Sequence, residues 1–166
     1  GQPIDAVFHS SSSGATEDAA LVWGAQVPYL SSVTSPENED SVPNYHSTVS
    51  ITPDAFRDAI TKEYPEADLS GAPESWIGSY QYSEAGKVLS VTIGGVSVTG
   101  KSIRSMFSLR STAFQITPSA DAITFFVTGY GHGVGMSQYG ARSSGTPCFS
   151  DNRKQAVNQF CSRDTS

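Results

Sequence analysis

The sequence predicts a mixed α+β fold built from β-hairpins and short helices. Short runs of β-branched and other apolar residues, such as residues 123–128, are typical of strands and recur between turn-forming residues. The pair Gly94-Gly95 lies between two such runs and is typical of a two-residue hairpin turn. Residues 53–64 instead repeat apolar side chains every four positions, which indicates an amphipathic helix.

Each element can be placed along the chain from the same signals. The helix at 53–64 has Thr52 as a predicted N-cap and Pro53 at its first position, with Phe56, Ile60 and Tyr64 on its apolar face. Polar loops are expected at 10–16 and at the acidic stretch 35–45, and shorter helices at 17–23, at 101–107 and from near Met136. Strands are predicted at residues 4–9, 29–33, 48–51, 79–82, 87–93, 96–98, 113–116 and 122–127.

Length and composition limit the classes of function. The chain has 166 residues, which suits one domain, and its net charge of −6 comes without any cluster of Lys or Arg. Nucleic acid and anionic membrane surfaces are therefore excluded as partners. No apolar stretch reaches membrane-spanning length, and the Ser, Thr and Gly content is typical of an extracytoplasmic β-rich domain.

The two ends of the chain give less information. Because the sequence starts at Gly1, with no signal peptide or initiating Met, we expect a processed chain or a fragment of a longer protein. Cys148 and Cys161 are close enough in sequence for a disulfide worth roughly 3 kcal/mol in the chain-entropy model. The sequence leaves open whether this disulfide forms.

Residues 129–141, which read GYGHGVGMSQYGA, are the most informative segment. Glycines at 129, 131, 133, 135 and 140 remove side chains where the backbone must turn sharply or approach another segment. The alternation does not give G-x-G-x-x-G, and no G-K-[ST] follows, which excludes the two common nucleotide-binding loops. His132 has no second His or Cys at zinc-motif spacing, so we expect no metal site.

This segment resembles the hallmark of the stage II sporulation protein D and amidase-enhancer family (SpoIID/LytB). Residues 3–17, PIDAVFHSSSSGATE, resemble the strand and Ser-rich loop of that family. Shorter elements support the resemblance in the expected order, namely Trp23-Gly24, residues 28–36, residues 97–104 and residues 109–114. The resemblance covers residues 1–142, whereas residues 143–166 depart from the family pattern and are expected to be a divergent or foreign tail.

The resemblance implies a domain whose hairpins and short helices line a polysaccharide cleft. The sporulation branch consists of lytic transglycosylases, which cleave MurNAc–GlcNAc glycan strands of peptidoglycan in sporulation or cell-wall remodelling. The alternative is the amidase-enhancer branch, a non-catalytic murein-binding module. The expected partners are glycan strands and other cell-wall hydrolases or amidases, without a cofactor. The expected location is extracytoplasmic, in the cell wall or between the forespore and mother-cell membranes.

The catalytic carboxyl group of the family is expected upstream of Gly1. Lytic transglycosylases need one Glu that protonates the leaving oxygen and then takes a proton from the 6-hydroxyl. The family Glu lies in a Glu-Met-Pro element that precedes the segment at which this chain begins, and no such element occurs in residues 1–166. Enzymatic activity of the chain itself is therefore left open. Glu17 and Asp18 are the candidate substitutes, with helix N-terminal charges as the alternative reading.

Seven residues are candidates for substrate binding, and the resemblance places two of them, Thr16 and Tyr29, at positions that the family uses to bind glycan. Hydroxyl, phenol, imidazole and amide groups can pair with sugar hydroxyls, and Tyr can also stack on a pyranose. Four of them have a structural alternative: a turn or cap for Thr16, core packing for Tyr29, and internal hydrogen bonding for each His. The seven are His9, Thr16, Tyr29, His132, Ser137, Gln138 and Tyr139.

Two further interpretations concern the pair Ser137 and His132 and the two tryptophans. Ser137 with His132 has the residue types of a serine hydrolase, but the G-x-S-x-G elbow is absent, which disfavours that chemistry. Trp23 and Trp76 are able to stack on sugars, and core packing is the alternative for both.

Overall fold

Short helices and strands, most of them in antiparallel sheets, make up the computed structural model of this chain, which describes residues 6–35 and 37–143. In chain order the elements are β1 (Phe8–His9), α1 (Ala19–Trp23), β2 (His46–Ile51), α2 (Pro53–Glu63), a 3₁₀ turn (Pro73–Ser75), β3 (Ile77–Tyr82), β4 (Val88–Ile93), β5 (Val96–Thr99), α3 (Gly100–Met106), β6 (Phe114–Pro118), β7 (Ile123–Thr128), β8 (Met136–Ser137) and α4 (Gln138–Ser143). The predicted α+β class is confirmed, and the polysaccharide cleft stays a prediction.

These elements divide into two compact units. Unit 1 joins the chain up to Tyr45 with the chain from Gly129 onward, and unit 2 is the continuous segment His46–Thr128. None of the helices in the described part of the chain has the length and apolar character needed to cross a bilayer.

Three sequence-based expectations fall on residues outside the described ranges. Gly1, upstream of which the family Glu is expected, lies outside them, so the position of the catalytic Glu stays a prediction. Cys148 and Cys161 also lie outside them, and so does nearly all of the predicted tail.

Unit 1 is held by a small apolar cluster and by pairing between distant segments. Ala19, Leu30 and Val134 are completely or almost completely buried, and partly buried apolar side chains surround them. The strands β1 and β8 pair in parallel although more than 120 residues separate them in sequence. This unit therefore depends on a long-range contact rather than on local hairpins.

Unit 2 contains two three-stranded antiparallel sheets, with strand orders β3-β4-β5 and β2-β7-β6. The turn between β4 and β5 is formed by Gly94 and Gly95, whose φ angles of 54° and 82° are both positive. Positive φ at both central residues is the requirement of a type I′ hairpin turn, which explains the two glycines. The predicted hairpin is therefore confirmed.

The helix α2 begins and is buried as the sequence predicts. The Thr52 hydroxyl accepts a hydrogen bond from the Ala55 N–H at 3.3 Å, and Pro53 occupies the first turn. Phe56 and Ile60 are completely buried in the core of unit 2, whereas Tyr64 lies just past the helix end. The ring of Phe56 lies 5.3 Å from Phe107, 6.0 Å from Trp76 and 6.3 Å from Phe125 between centroids.

Two predicted elements are wrong in type or position. Residues 29–33 do not form a strand: the Leu30 carbonyl accepts from Ala19, and the Val33 carbonyl accepts from Thr16, so no continuous ladder exists. The helix expected near Met136 begins two residues later, because Met136 and Ser137 pair with β1. The first strand is described only from residue 6, and its paired part is Phe8–His9.

Replacing Phe56 by Ala should lower the free energy of unfolding by about 3–5 kcal/mol, because it removes a completely buried ring with three aromatic neighbours. Asp58→Ala, at an exposed position of the same helix, is the control and should change stability by less than about 0.5 kcal/mol. Chemical denaturation followed by circular dichroism measures both. Equal midpoints for the two variants would show that Phe56 is not a core residue.

Candidate functional site

The Ser-rich loop and the glycine-rich segment lie side by side in unit 1. The Ser11 N–H donates to the Tyr130 carbonyl at 3.0 Å, and the Tyr130 N–H returns a bond to Ser11 at 2.9 Å. Further along, the Glu17 N–H donates to the Gly133 carbonyl at 2.7 Å. The sequence places these two segments more than 100 residues apart, so the hallmark motifs meet only through folding.

A second set of backbone bonds extends this contact past β8. The Met136 N–H donates to the Val7 carbonyl at 3.0 Å, and the Tyr139 N–H donates to the Ser10 carbonyl at 3.2 Å. The segment from Val7 to Glu17 is thereby bonded to residues throughout the glycine-rich segment. The two hallmark motifs are therefore neighbours in the fold.

Three glycines permit this close approach. Gly129, Gly131 and Gly135 have φ angles of 75°, 123° and 81°, which residues with a Cβ rarely adopt. A Cβ at Gly129 would lie 2.9 Å from the Ser12 carbonyl oxygen, and one at Gly135 would overlap the Val7 carbonyl. The alternating glycines are therefore required by the backbone pairing itself.

His9 and His132 come together at the centre of this contact. Their ring centroids are 5.8 Å apart, with a tilt of 55° between the rings. His9 is buried, and its Nδ1 lies 3.2 Å from the Val134 carbonyl. His132 is half-buried, and its Nδ1 accepts the Val134 N–H at 3.0 Å, which places the proton of the neutral ring on Nε2.

Trp23 continues this line of rings toward solvent. The ring lies 5.7 Å from the ring of His132 with a tilt of 53°, and 44% of the side chain is exposed. It is the last residue of α1, which ends at Gly24 in the left-handed conformation. Trp76, by contrast, is a core residue with 2% exposure. The structure thus separates two tryptophans that the sequence treated alike.

The hydroxyls of Thr16 and Ser137 have structural partners. Thr16 is completely buried, and its hydroxyl accepts the Val33 N–H at 2.9 Å. Ser137 is also completely buried; its hydroxyl donates to the Ser10 carbonyl at 3.4 Å and accepts the Gly140 N–H at 3.3 Å. These contacts favour a structural role for both residues over direct contact with a ligand.

The other three predicted residues differ in exposure. Gln138 is exposed at the start of α4, and Tyr139 beside it is half-buried. Tyr29 packs as a partly buried ring on the cluster of Ala19, Leu30 and Val134, in agreement with the core alternative. Of the seven predicted residues, Gln138 is therefore exposed in the glycine-rich segment, and His132 and Tyr139 are half-buried there.

The two candidate carboxylates also differ. Asp18 is the N-cap of α1, and its Oδ1 accepts the Ala20 N–H at 2.7 Å. The structure thus agrees with the helix N-terminal reading for Asp18. Glu17 is 3% exposed. Its backbone, not its carboxylate, makes the contact with the glycine-rich segment that the structure shows. The catalytic assignment is unchanged by this geometry, and the family Glu is still expected upstream of Gly1, beyond the described residues.

Glu37 is a residue that the sequence did not single out. Its carboxylate is 7% exposed and accepts the Ser12 hydroxyl at 2.8 Å, the Ser35 hydroxyl at 2.7 Å and the Ser12 N–H at 3.2 Å. It therefore holds the Ser-rich loop through a contact across 25 residues of sequence. The only sequence signal was a Glu within a stretch that reads as an acidic surface loop.

Glu37 also affects a neighbouring phenol. Burial raises the pKa of Tyr45 above its usual value of 10.0, and the negative charge of Glu37 raises it further. Tyr45 is itself buried, and its carbonyl accepts the Gly129 N–H at 2.8 Å. Tyr45 thus bonds the first residue of the glycine-rich segment and lies near Glu37, which holds the Ser-rich loop.

In the described part of the chain, neither a metal-binding cluster nor a cavity adds to this candidate site. Across residues 6–35 and 37–143, no three His, Cys, Asp or Glu side chains come together in a way that could hold a metal ion. One cavity of about 230 Å³ lies in unit 2 and is lined by Glu63, Tyr64, Ser102, Ser105 and Met106. No predicted site residue lines that cavity.

Glu37→Ala should lower the free energy of unfolding by about 1–3 kcal/mol, because it leaves the buried donors of Ser12 and Ser35 without their acceptor. Glu39→Ala removes an exposed carboxylate two residues away and should be nearly neutral. Thermal melts of the two variants provide the comparison. A stability for Glu37→Ala equal to that of Glu39→Ala would contradict the loop-holding role.

Gly135→Ala should destabilise the protein by more than about 2 kcal/mol, because the new Cβ adds an overlap with Val7 to the unfavourable positive φ. Gly24→Ala is the matched control, since its φ is also positive but nothing lies within 4 Å of the new Cβ. That variant should lose only about 1–2 kcal/mol. Equal losses in denaturant unfolding would mean that close approach to Val7 does not constrain residue 135.

The chain is similar to known proteins over most of its length. No protein-family model matches the chain. Stage II sporulation protein D of Bacillus subtilis is 38% identical over 140 residues, which cover 84% of this chain and 39% of that protein. The protein of the same name from Bacillus amyloliquefaciens is 36% identical over 140 residues, with the same coverage. An uncharacterized protein of Brachyspira hyodysenteriae is 27% identical over 144 residues, 85% of this chain and 38% of that protein.

The chain thus spans about 39% of the length of the two Bacillus proteins that it matches. The similarity to them extends over most of the described structure. The resemblance of this chain to the stage II sporulation protein D family, predicted from residues 3–17 and 129–141, is therefore confirmed over 84% of the chain.

Proposed function

We propose that this chain is the glycan-binding part of a sporulation or cell-wall-remodelling protein that acts on peptidoglycan as a lytic transglycosylase. The observation that carries the proposal is the similarity to stage II sporulation protein D, together with the two family motifs paired in unit 1. The partner is the MurNAc–GlcNAc strand, and the place of action is outside the cytoplasm.

In the proposed reaction one carboxyl group protonates the glycosidic oxygen and then removes the proton of the 6-hydroxyl. That group comes from upstream of Gly1, where the family carries its Glu-Met-Pro element. The described carboxylates support a catalytic group that lies outside this chain. Asp18 is engaged in capping α1, and Glu37 in holding the Ser-rich loop, so neither is placed to exchange a proton with a sugar.

This chain would contribute binding and orientation rather than proton transfer. His132 has its Nδ1 fixed by the Val134 N–H, so its ring orientation is set before a ligand arrives. Gln138 is exposed at the start of α4 and offers both a donor and an acceptor. Rigid placement of such groups lowers the entropic cost of holding a strand in position.

The chain alone should release no anhydro-muropeptides from denuded murein, whereas a longer protein that includes the upstream Glu-Met-Pro element should release them. General-acid catalysis is worth about 10²–10⁴-fold, so its loss leaves no detectable turnover. Mass spectrometry of the soluble products measures both. Replacing the upstream Glu by Gln should abolish release, while Glu17→Gln in the longer protein should retain it. Anhydro products from the chain alone would contradict the proposal and direct attention to Glu17.

The second candidate is a non-catalytic amidase enhancer that binds murein and stimulates another hydrolase. The structural hydrogen bonds of Asp18 and Glu37 favour it, since they engage these two carboxylates in structure rather than in acid–base chemistry. The two candidates differ in a mixed assay: an enhancer raises the rate at which an added cell-wall amidase releases stem peptides, and a transglycosylase part does not. Stimulation by the chain at concentrations where it binds murein would decide for the enhancer.

A further inference from the structure

Trp23 is an indole held at the surface on a rigid support. The side chain is 44% exposed, although a tryptophan loses favourable burial when it remains in water. It is the last residue of a five-residue helix with a capping Asp at one end and a left-handed Gly at the other. Short helices need such caps to stay ordered, so the indole is presented from a fixed backbone.

The inner side of the indole contacts the glycine-rich segment. Its centroid lies 5.7 Å from that of His132, and His132 in turn lies 5.8 Å from buried His9. The His132 ring cannot rotate freely, since its Nδ1 accepts the Val134 N–H at 3.0 Å. The row of three mutually tilted rings therefore runs from the buried interior of unit 1 to solvent and ends at Trp23.

The chemistry around the indole favours a neutral polyhydroxyl ligand. The carboxylate at the start of the same helix, Asp18, is engaged in capping the Ala20 N–H. The flat apolar face and the N–H edge of an exposed indole fit the alternating apolar face and polar edge of a pyranose ring.

We propose that Trp23 is a stacking surface for one pyranose ring of a glycan strand, with His132 as its fixed support. The inference rests on the proposed glycan function and names a binding residue for it. It places the sugar against the exposed indole rather than against Thr16 or Tyr29. Trp76 lies in the core of unit 2 and has no such role.

The two tryptophans allow a direct test in one sample. The protein is labelled with 5-fluorotryptophan, and its two ¹⁹F resonances are assigned with Trp23→Phe. Titration with an N-acetylglucosamine tetramer or with soluble glycan strands should shift the Trp23 resonance and leave that of buried Trp76 unchanged. Isothermal calorimetry of the unlabelled protein measures binding independently of either ring.

Variants of α1 provide the matched comparison. Trp23→Ala should weaken binding about 3- to 10-fold, on the scale of one aromatic contact, and Trp23→Phe should restore part of the loss. Leu21→Ala removes a side chain of the same helix that is 53% exposed, and it should bind like the parent. Thermal melts identify any variant that does not fold, in which case the resonance shift of the parent protein decides.

The outcomes separate this inference from the proposed function. If calorimetry shows glycan binding while the Trp23 resonance stays fixed and folded Trp23→Ala binds like the parent, the stacking role is wrong and glycan binding stands. If the parent binds neither the tetramer nor soluble strands, both are contradicted. A shift confined to Trp23, with weaker binding by Trp23→Ala only, supports both.

Discussion

The backbone pairing between the Ser-rich loop and the glycine-rich segment is the contact on which unit 1 depends. Reciprocal bonds between Ser11 and Tyr130 and the bond from Glu17 to Gly133 join segments that are distant in sequence. Closing so long a loop is entropically costly, and the cost must be offset by burial and by satisfied backbone groups. This pairing is what brings His9 and His132 together.

The same pairing explains why so many polar residues serve structure. When two loops pack closely, their hydroxyls and carboxylates lose water and must find partners. Thr16 bonds to Val33, Ser137 bonds to Ser10, and Glu37 accepts hydrogen bonds from Ser12 and Ser35. The groups that remain exposed include the Trp23 indole, the Tyr130 phenol and the Gln138 amide, and the His132 ring is half-buried. Candidate binding groups are thus the residues that the internal network leaves exposed.

Local signals were sufficient for unit 2 and insufficient for unit 1. The N-cap at Thr52, the four-residue spacing of Phe56 and Ile60, and the glycine pair at 94–95 each act within a few residues, and each predicted its element. The strand expected at 29–33 failed because its carbonyls bond singly to Ala19 and Thr16. Period-two patterns cannot show which partner a segment will have. The sequence did not predict the role of Glu37 for the same reason, because only the fold brings Glu37 to Ser12.

The pairing of the two hallmark segments consists of specific backbone hydrogen bonds. Scalar couplings across hydrogen bonds, measured by nuclear magnetic resonance on ¹⁵N,¹³C-labelled protein, test it without any variant. We expect couplings from the Ser11 nitrogen to the Tyr130 carbonyl carbon, from Tyr130 to Ser11, and from Glu17 to Gly133. Couplings within the sheets of unit 2 serve as the internal reference. Detection of those reference couplings with none between residues 11–17 and 130–133 would contradict the claim.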